Sequence, residues 1–261
     1  MRIWPKKYKT GLVLSGGGAR GLAHLGVLKA LDEKKIKIDI LSGASAGALA
    51  AAFYADGFSA EEIFDLFTSK KIYELMRITI PRTGFLKVNG IKDILQNNLK
   101  AKRIEDLKIP VIIAATNFRE GKIEYISKGN LIDTLLVSSG IPILFEISQI
   151  ENVQYIDGGI MDNLPISPLR KVCRKCIAVH VNPIGRLEKV NSLIQIAERT
   201  FHLALMSEIN TKKSQVDLFI EPGKLVDYGL LDMKKASEIF KIGYEETLRV
   251  IDSQAGFSFK N

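Results

Sequence analysis

Gly43-Ala44-Ser45-Ala46-Gly47 is the stretch that decides the fold, and it lies between an apolar run at residues 36–41 and a helix-like run at residues 48–54. It matches the pattern G-x-S-x-G, in which a strand reverses sharply into a helix and the central residue takes a strained conformation with φ > 0. The bend exposes the Ser45 hydroxyl and points the next helix N-terminus toward it, which suits a nucleophile and a developing oxyanion. The same pattern also fits a plain strand-to-helix turn with an ordinary serine.

Length and composition fit one large α/β domain or two small ones, with 261 residues, 46% of them apolar and 25% charged. No apolar run reaches the roughly 18 residues that a membrane helix needs. The basic N-terminus is not followed by the apolar core of a secretory signal. Since the chain has only two cysteines, a disulfide framework is not expected, and we predict a cytoplasmic protein that is at most peripheral to a membrane.

The two cysteines form a lone C-x-x-C, Cys173-Arg174-Lys175-Cys176, placed before a predicted strand. A zinc site would need a second pair, and a redox motif is expected at a helix start. Both cysteines are therefore predicted to be reduced and structural.

The positive charge is concentrated in one stretch. Between Lys70 and Arg103 there are nine basic and two acidic residues, a net charge of +7 out of +8 for the chain. Large apolar residues are interleaved with them, a mixture that suits an anionic lipid surface. It also fits a solvated basic face over a normal core. Nucleic acid is not expected as a partner, because no nucleic-acid-binding motif accompanies the charge.

A glycine-rich loop, Gly16-Gly17-Gly18-Ala19-Arg20-Gly21, follows a predicted buried strand at residues 10–15. Leucines at helical spacing start at Leu22, so a helix is predicted to begin at about Gly21. A strand, a glycine loop and a helix together form a cradle of backbone N–H groups for negative charge. The spacing fits a dinucleotide site with Asp39 as its acidic residue. It also fits an oxyanion hole for Ser45.

Strands alternate with helices along the rest of the chain, which predicts an α/β fold: a layered, mostly parallel central sheet flanked by helices. The segment from residue 70 to residue 90 contains Pro81, Gly84 and Gly90 and is a candidate cap over the site. Further strands are predicted at residues 111–116, 122–127, 155–156, 176–181 and 217–220, and helices at residues 59–67, 91–99, 131–139, 193–210 and 234–251.

A nucleophilic serine needs a base. The order Ser45, Asp157 and then His180 or His202 would satisfy an α/β-hydrolase triad, but only one predicted strand precedes the elbow. For the three histidines, His24 included, a structural role is favoured. Asp157 ends a strand and is followed by Gly158 and Gly159, so its carboxylate is unshielded, and burial would raise its basicity. The triplet also fits a plain turn.

The glycine loop, the elbow and Asp157-Gly158-Gly159 together resemble the three motifs of the patatin-like phospholipase family, in that family's order and approximate spacing. The stretches Ser138-Ser139-Gly140-Ile141-Pro142-Ile143-Leu144-Phe145 and Asp162-Asn163-Leu164-Pro165 are similar as well. Gly140 stands where an alanine is frequent, which puts no catalytic group in doubt. The resemblance covers residues 9–182 well and is looser to residue 251.

The resemblance implies a single domain over residues 1–261, with a motif core at about 9–182 that residues 183–251 complete. It implies hydrolysis of lipid carboxylic esters, such as those of (lyso)phospholipids, through an acyl-serine intermediate and without metal or cofactor. Ser45 would be the nucleophile and Asp157 the general base, with the oxyanion hole or substrate site at Gly16, Gly17, Gly18 and Arg20. An acyltransferase with the same dyad, a nucleotide-binding module on the glycine loop and a catalytically silent protein remain alternatives.

Overall fold

The computed structural model describes residues 7–69, 89–140, 148–186 and 193–253. An eight-stranded sheet lies at its centre. The strands are β1 (Tyr8–Leu14), β2 (Ile40–Ala44), β3 (Val111–Asn117), β4 (Lys122–Ile126), β5 (Ser148–Ile150), β6 (Val153–Asp157), β7 (Cys173–Val179) and β8 (Leu218–Ile220).

Five strands of the sheet are parallel to one another, in the spatial order β3-β2-β1-β7-β8. The other three form an antiparallel part at one side: β4 and β6 each pair with β3, and β5 pairs with β6. The predicted α/β fold with a mostly parallel sheet is therefore confirmed. The antiparallel β5–β6 hairpin was not predicted.

Helices cover both faces of the sheet. They are α1 (Leu22–Glu33), α2 (Ala46–Asp56), α3 (Ala60–Thr68), α4 (Asn89–Asn98), α5 (Leu131–Ser138), α6 (Ser167–Arg170), α7 (Leu193–Lys213) and α8 (Ala236–Ser253). A capping box begins α3, in which Ser59 and Glu62 each accept the other's backbone N–H. Within the described ranges, every helix is too short or too polar to cross a bilayer.

The strand side chains alternate between two apolar layers, as a pleated strand requires. In β1, Leu12 and Leu14 join the larger cluster with α1, α2 and α8, while Val13 faces the smaller cluster with α6 and α7. Helices α1 and α8 pack extensively against each other in the larger layer. A Cβ at Gly26 would lie 2.6 Å from the backbone nitrogen of Tyr244, so glycine there allows the two backbones to approach. Both α8 and β8 come from the segment after residue 182. Helix α8 packs on α1, and strand β8 pairs with β7.

Strand β7 differs from its prediction at both ends. It begins at Cys173, because its first residues pair with the start of β1 through Tyr8 and Thr10. The two cysteines therefore lie within the strand, buried and not joined in a disulfide, rather than before it. The strand ends at Val179, so His180 follows it. The predicted cap at residues 70–90 falls almost entirely outside the described residues.

Candidate active site

Ser45 occupies the sharp turn between β2 and α2, with φ 51° and ψ −124°. This positive φ confirms the strained elbow that G-x-S-x-G predicts. Space at the bend is minimal: a Cβ on Gly47 would lie 2.5 Å from the carbonyl oxygen of Ser15. The backbone N–H of Ser45 donates to Ser138 Oγ at 3.1 Å, and Ser138 Oγ donates to the carbonyl of Ala114 at 2.7 Å. A buried side chain of α5 therefore ties the elbow to β3.

Strand β3 brings Ser45 and Asp157 together. Its residues 111–114 pair with β2 and its residues 115–117 pair with β6, while β4 pairs with residues 113–117. Since β4 overlaps both of the others, it must occupy one edge of β3, and β2 and β6 must share the opposite edge. They run toward each other there, and their last residues, Ala44 and Asp157, face Ala114 and Ala115. The residue after β2 is Ser45, so the serine and the carboxylate meet head to head.

The Ser45 side chain lies beside the Asp157 carboxylate and interacts with it. Asp157 is 5% exposed, and its Oδ1 also accepts the N–H of Gly159 at 2.7 Å. Burial raises the pKa of Asp157 to about 6, although the hydrogen bonds from Ser45 and Gly159 oppose that shift. A carboxylate with this pKa is ionised at neutral pH and is a stronger base than an ordinary aspartate.

The glycine loop lies next to the elbow. The N–H of Gly16 donates to the carbonyl of Asn163 at 3.1 Å, so it is already engaged. The N–H groups of Gly17 and Gly18 donate to no acceptor among the described residues. A Cβ on Gly16 would lie 3.2 Å from Ser45 Cβ, so the loop lies directly beside the serine. Two unengaged N–H groups beside a serine can stabilise an oxyanion.

Arg20 is buried at the end of this loop. Its Nε donates to the carbonyl of Tyr228 at 2.5 Å, and its backbone N–H donates to the carbonyl of Gly17 at 3.1 Å. The side chain therefore links the glycine loop to the segment before α8. This contact fixes one end of the loop relative to that segment.

The three histidines have other surroundings. His24 Nε2 lies 2.7 Å from the carbonyl of Ser15, which can only accept, and burial lowers the pKa of His24 to about 4. His180 Nδ1 lies 2.7 Å from Glu221 Oε1. Burial also lowers the pKa of His202 to about 4. Asp157 lies beside Ser45, whereas His24 and His180 have partners elsewhere, which disfavours the triad.

Asp39 does not support a dinucleotide site. Its Oδ2 accepts the backbone N–H groups of Lys9 and Thr10 at 3.1 and 2.9 Å, at the start of β1. The glycine loop lies beyond the other end of that strand, roughly 20 Å away at about 3.3 Å per residue. Asp39 therefore could not contact a ribose whose phosphates lay on the loop. The described residues also contain no group of three His, Cys, Asp or Glu side chains that could hold a metal ion.

A buried ion pair, which the sequence did not reveal, supports the turn after Asp157. Lys212 of α7 bonds to Asp162, and both side chains are buried. The other carboxylate oxygen of Asp162 accepts the Tyr125 hydroxyl at 2.5 Å, and the backbone N–H of Asp162 donates to the carbonyl of Gly158 at 3.0 Å. The network thus connects α7 and β4 to the Asp157-Gly158-Gly159 turn.

Replacing Lys212 with methionine is expected to lower the free energy of unfolding by about 3–5 kcal/mol, because it leaves the Asp162 carboxylate buried without its cation. Urea denaturation would measure the loss. Lys213→Met is the matched control, since Lys213 is exposed on the same helix, and it should cost less than about 1 kcal/mol. The double variant Asp162→Asn/Lys212→Met should recover part of the loss. A Lys212→Met protein as stable as the control would contradict this role.

Comparison with known proteins gives one family and a consistent set of relatives. A family model described as "Patatin-like phospholipase" matches residues 12–170. "Lysophospholipase NTE1" of Kluyveromyces lactis is 27% identical over 266 residues, which cover 90% of this chain and 18% of the fungal protein. "Uncharacterized NTE family protein Mb1092c" of Mycobacterium bovis is 32% identical over 177 residues, which cover 67% of this chain and 49% of the relative. The chain thus spans less than a fifth of the length of that fungal relative.

Among solved structures, VipD from Legionella pneumophila is similar in fold. It matches with a TM-score of 0.54 and 18% identity, over 95% of this chain and 67% of that one. At this identity the likeness concerns the arrangement of strands and helices alone.

Proposed function

Because the chain belongs to the patatin-like phospholipase family, we propose that it hydrolyses carboxylic ester bonds of lipids on Ser45. The observation that carries the proposal is the juxtaposition of a serine on a strained elbow and a buried carboxylate, Asp157. The name of the fungal relatives, lysophospholipase, supports single-chain phospholipids as the substrate class.

In the proposed reaction Asp157 removes the proton from Ser45 Oγ as that oxygen attacks the ester carbonyl. The N–H groups of Gly17 and Gly18 stabilise the negative charge that develops on the carbonyl oxygen. Asp157 then gives its proton to the leaving alcohol, and the acyl group remains on Ser45. Asp157 next removes a proton from water, which attacks the acyl-serine, and gives that proton to Ser45 Oγ as the acyl–oxygen bond breaks and the fatty acid is released. The residues Gly16 and Arg20 hold the loop through Asn163 and Tyr228.

A fluorophosphonate probe tests the nucleophile directly, since it phosphonylates an activated serine. Mass mapping of the labelled protein should place the modification on the peptide that contains Ser45. Labelling of another serine, or none while the protein hydrolyses lysophospholipid, would contradict the proposal. An acylated alcohol formed from added glycerol would identify acyl transfer in place of hydrolysis.

The pH dependence follows from the raised pKa of the base. Asp157 acts only as the carboxylate, so kcat/KM is expected to rise with pH through about 6 and to level off above it. Initial rates of hydrolysis of a water-soluble ester between pH 4.5 and 8.5 would measure how kcat/KM depends on pH. The midpoint should barely move with temperature, because ionising a carboxyl group takes little heat, whereas an imidazole midpoint would fall on warming. A temperature-sensitive midpoint would indicate a histidine base.

We also propose that the chain contacts anionic lipid surfaces peripherally through the basic stretch from Lys70 to Arg103. The proposal rests on its net charge of +7, since an attraction of about 1 kcal/mol per basic residue near such a surface biases docking. Binding to phosphatidylserine vesicles should exceed binding to phosphatidylcholine vesicles and should weaken as salt rises. Cosedimentation measures both.

A charge-matched pair of variants separates this stretch from total charge. The first variant changes five of its basic residues to glutamine: Lys70, Lys71, Arg77, Arg82 and Lys87. The second changes five exposed lysines elsewhere: Lys34, Lys37, Lys171, Lys224 and Lys241. The first should lose the preference for anionic vesicles, and the second should keep most of it. Equal losses would show that only total charge matters.

A further inference from the structure

The C-terminal end of α5 contacts the backbones of both members of the proposed dyad. Ser138 is the last residue of this helix and is completely buried. Its Oγ accepts the backbone N–H of Ser45 at 3.1 Å. Two residues later, the carbonyl of Gly140 accepts the backbone N–H of Asp157 at 3.0 Å. The reaction proposed above uses neither Ser138 nor Gly140.

The backbone N–H of Ser45 lies between two regular elements. The pairing of β2 with β1 ends at Gly43 and its pairing with β3 ends at Ala44, so Ser45 lies beyond the sheet. In α2 the carbonyl of Ser45 accepts the N–H of Leu49 at 3.1 Å, but the first N–H groups of a helix have no partner within it. The N–H of Ser45 therefore depends on an acceptor from another part of the chain, and Ser138 Oγ is that acceptor.

The direction of the hydrogen bonds at Ser138 is fixed by its second partner. Its Oγ lies 2.7 Å from the carbonyl oxygen of Ala114, which can only accept. The hydroxyl proton is therefore directed at Ala114, and the hydroxyl oxygen presents a lone pair to the N–H of Ser45. Ala114 belongs to the part of β3 where β2 and β6 meet. Gly158, the residue after Asp157, lies so close to the same carbonyl that a Cβ would not fit.

Helix α5 is held at both ends, so its last turn is a firm support. Asn130 caps the N-terminus, since its Oδ1 accepts the N–H of Asp133 at 3.1 Å. At the other end, the N–H of Ser139 donates to the carbonyl of Leu135 at 3.1 Å. The side chains of Leu135 and Val137 are completely buried. The last turn of α5 can therefore hold the two strand ends at a constant separation.

We propose that Ser138 is a positioning residue, which holds the backbone of Ser45 so that its side chain lies beside the carboxylate of Asp157. The inference rests on the proposed function and adds to it a residue that acts through the nucleophile. A residue other than glycine with φ 51° is strained and keeps that conformation only where its surroundings enforce it. Without the hydroxyl of Ser138, the buried N–H of Ser45 loses its acceptor, and the elbow relaxes toward a conformation that offers another.

Ser138→Ala tests the inference, and Ser42→Ala is the matched control. Both serines are completely buried, and each donates its hydroxyl to a backbone carbonyl. Ser138 differs in that it also accepts the N–H of Ser45. Ser138→Ala should lower kcat for a water-soluble ester by about 100-fold, because a displacement of about 1 Å has that effect. KM should change less than about twofold, and Ser42→Ala should keep kcat within about twofold. Equal kcat values in the two variants would overturn the inference.

The ionisation of Asp157 gives a measurement that does not depend on turnover. Burial raises the pKa of Asp157 to about 6, and its interaction with Ser45 opposes that shift. When Ser138→Ala displaces Ser45, the pKa of Asp157 should therefore rise above about 6, whereas Ser42→Ala should leave it unchanged. NMR titration of the aspartate carboxyl carbons would measure both values. A Ser138→Ala protein with a lower melting temperature but an unchanged pKa of Asp157 would show a merely structural role and overturn the inference.

A second variant covers the case in which Ser138→Ala does not fold, which circular dichroism would show. Ser138→Cys fills a similar space, but its sulfur is only a weak acceptor, so kcat should again fall and the pKa of Asp157 should again rise. A folded Ser138→Cys protein with both values unchanged would overturn the inference.

The inference and the proposed function fail in distinguishable ways. If the unaltered protein shows no hydrolysis that depends on Ser45, the proposed function fails, and the pKa of Asp157 in the Ser138 variants still decides whether Ser138 positions the serine. If hydrolysis depends on Ser45 but the Ser138 variants change neither kcat nor that pKa, the inference fails alone.

Discussion

Ser45→Ala is expected to abolish hydrolysis of lysophospholipid and of small esters, lowering kcat by roughly five to six orders of magnitude, as loss of a catalytic serine does. The hydroxyl is the group that would carry the acyl intermediate, and the general base has no proton to remove without it. The methyl group occupies space that the hydroxymethyl group already fills, and the backbone at φ 51° suits alanine no worse than serine. The fold should therefore persist, which circular dichroism would check.

A nearby serine provides the control for this variant. Ser42 is buried in β2, three residues before Ser45, and its hydroxyl donates to the carbonyl of Pro165 at 2.9 Å. Ser42→Ala is expected to cost about 1 kcal/mol of stability but to keep both turnover and fluorophosphonate labelling. Wild-type turnover in purified Ser45→Ala protein would remove Ser45 from the mechanism.

The elbow could be predicted from the sequence because its determinants are local. The glycines at 43 and 47 and the alanines between them are compatible with only a few backbone paths between an apolar strand and a helix. The glycine loop is local in the same way. For these elements the structure confirms the positions of the strands and helices to within a few residues.

The meeting of Ser45 with Asp157 could not be predicted from such local patterns. It depends on β6 running antiparallel along the edge of β3 that β2 leaves free beyond Ala114. Residue types near Asp157 give no sign of that pairing, and Asp157 was expected as the base only because it ends a strand before two glycines and because of the order of the three motifs. The same limit explains Lys212, whose partner Asp162 lies 50 residues earlier. A lysine on an amphipathic helix is ordinarily solvated, so only the packed structure reveals its burial.

The C-terminal end of β7, next to His180, could not be predicted from the sequence for a related reason. The run from Cys176 to Val181 is continuously apolar except for His180, so it was predicted as one strand. In the structure, β8 is short and its pairing with β7 ends opposite Ile220. His180 then lies beyond the strand and bonds to Glu221. Where a strand ends depends on its neighbour, and that neighbour is about 40 residues away.

Asp157→Asn is expected to lower kcat/KM by about two to four orders of magnitude, the usual contribution of a positioned general base. The amide is close to the carboxylate in shape, and its oxygen can still accept the N–H of Gly159, but it cannot take the proton of Ser45. The remaining activity should lose the rise near pH 6. Steady-state rates on a water-soluble ester, compared across pH, would measure both effects.

Stability provides the internal control for Asp157→Asn, and its sign follows from the pKa. Burial raises the pKa of Asp157 to about 6 from an ordinary value of 3.8, so ionisation disfavours the folded state as pH rises through that window. The asparagine variant has no such penalty. Its melting temperature relative to the unaltered protein should therefore increase between pH 4 and pH 8. A variant that is inactive and less stable at pH 8 would indicate misfolding in place of a missing base.

Steady-state kcat/KM values for the water-soluble ester also decide between a Ser–Asp dyad and a triad with histidine. If Asp157 removes the proton itself, His180→Gln and His202→Gln should each lower kcat/KM for the soluble ester far less than Asp157→Asn does. The geometry favours this outcome, since the Asp157 carboxylate lies beside Ser45 and His180 bonds to Glu221. In a triad the aspartate would only orient the imidazole, and the histidine variant would be at least as damaging as the aspartate variant. A folded His180→Gln or His202→Gln protein with activity as low as that of Asp157→Asn would therefore overturn the dyad.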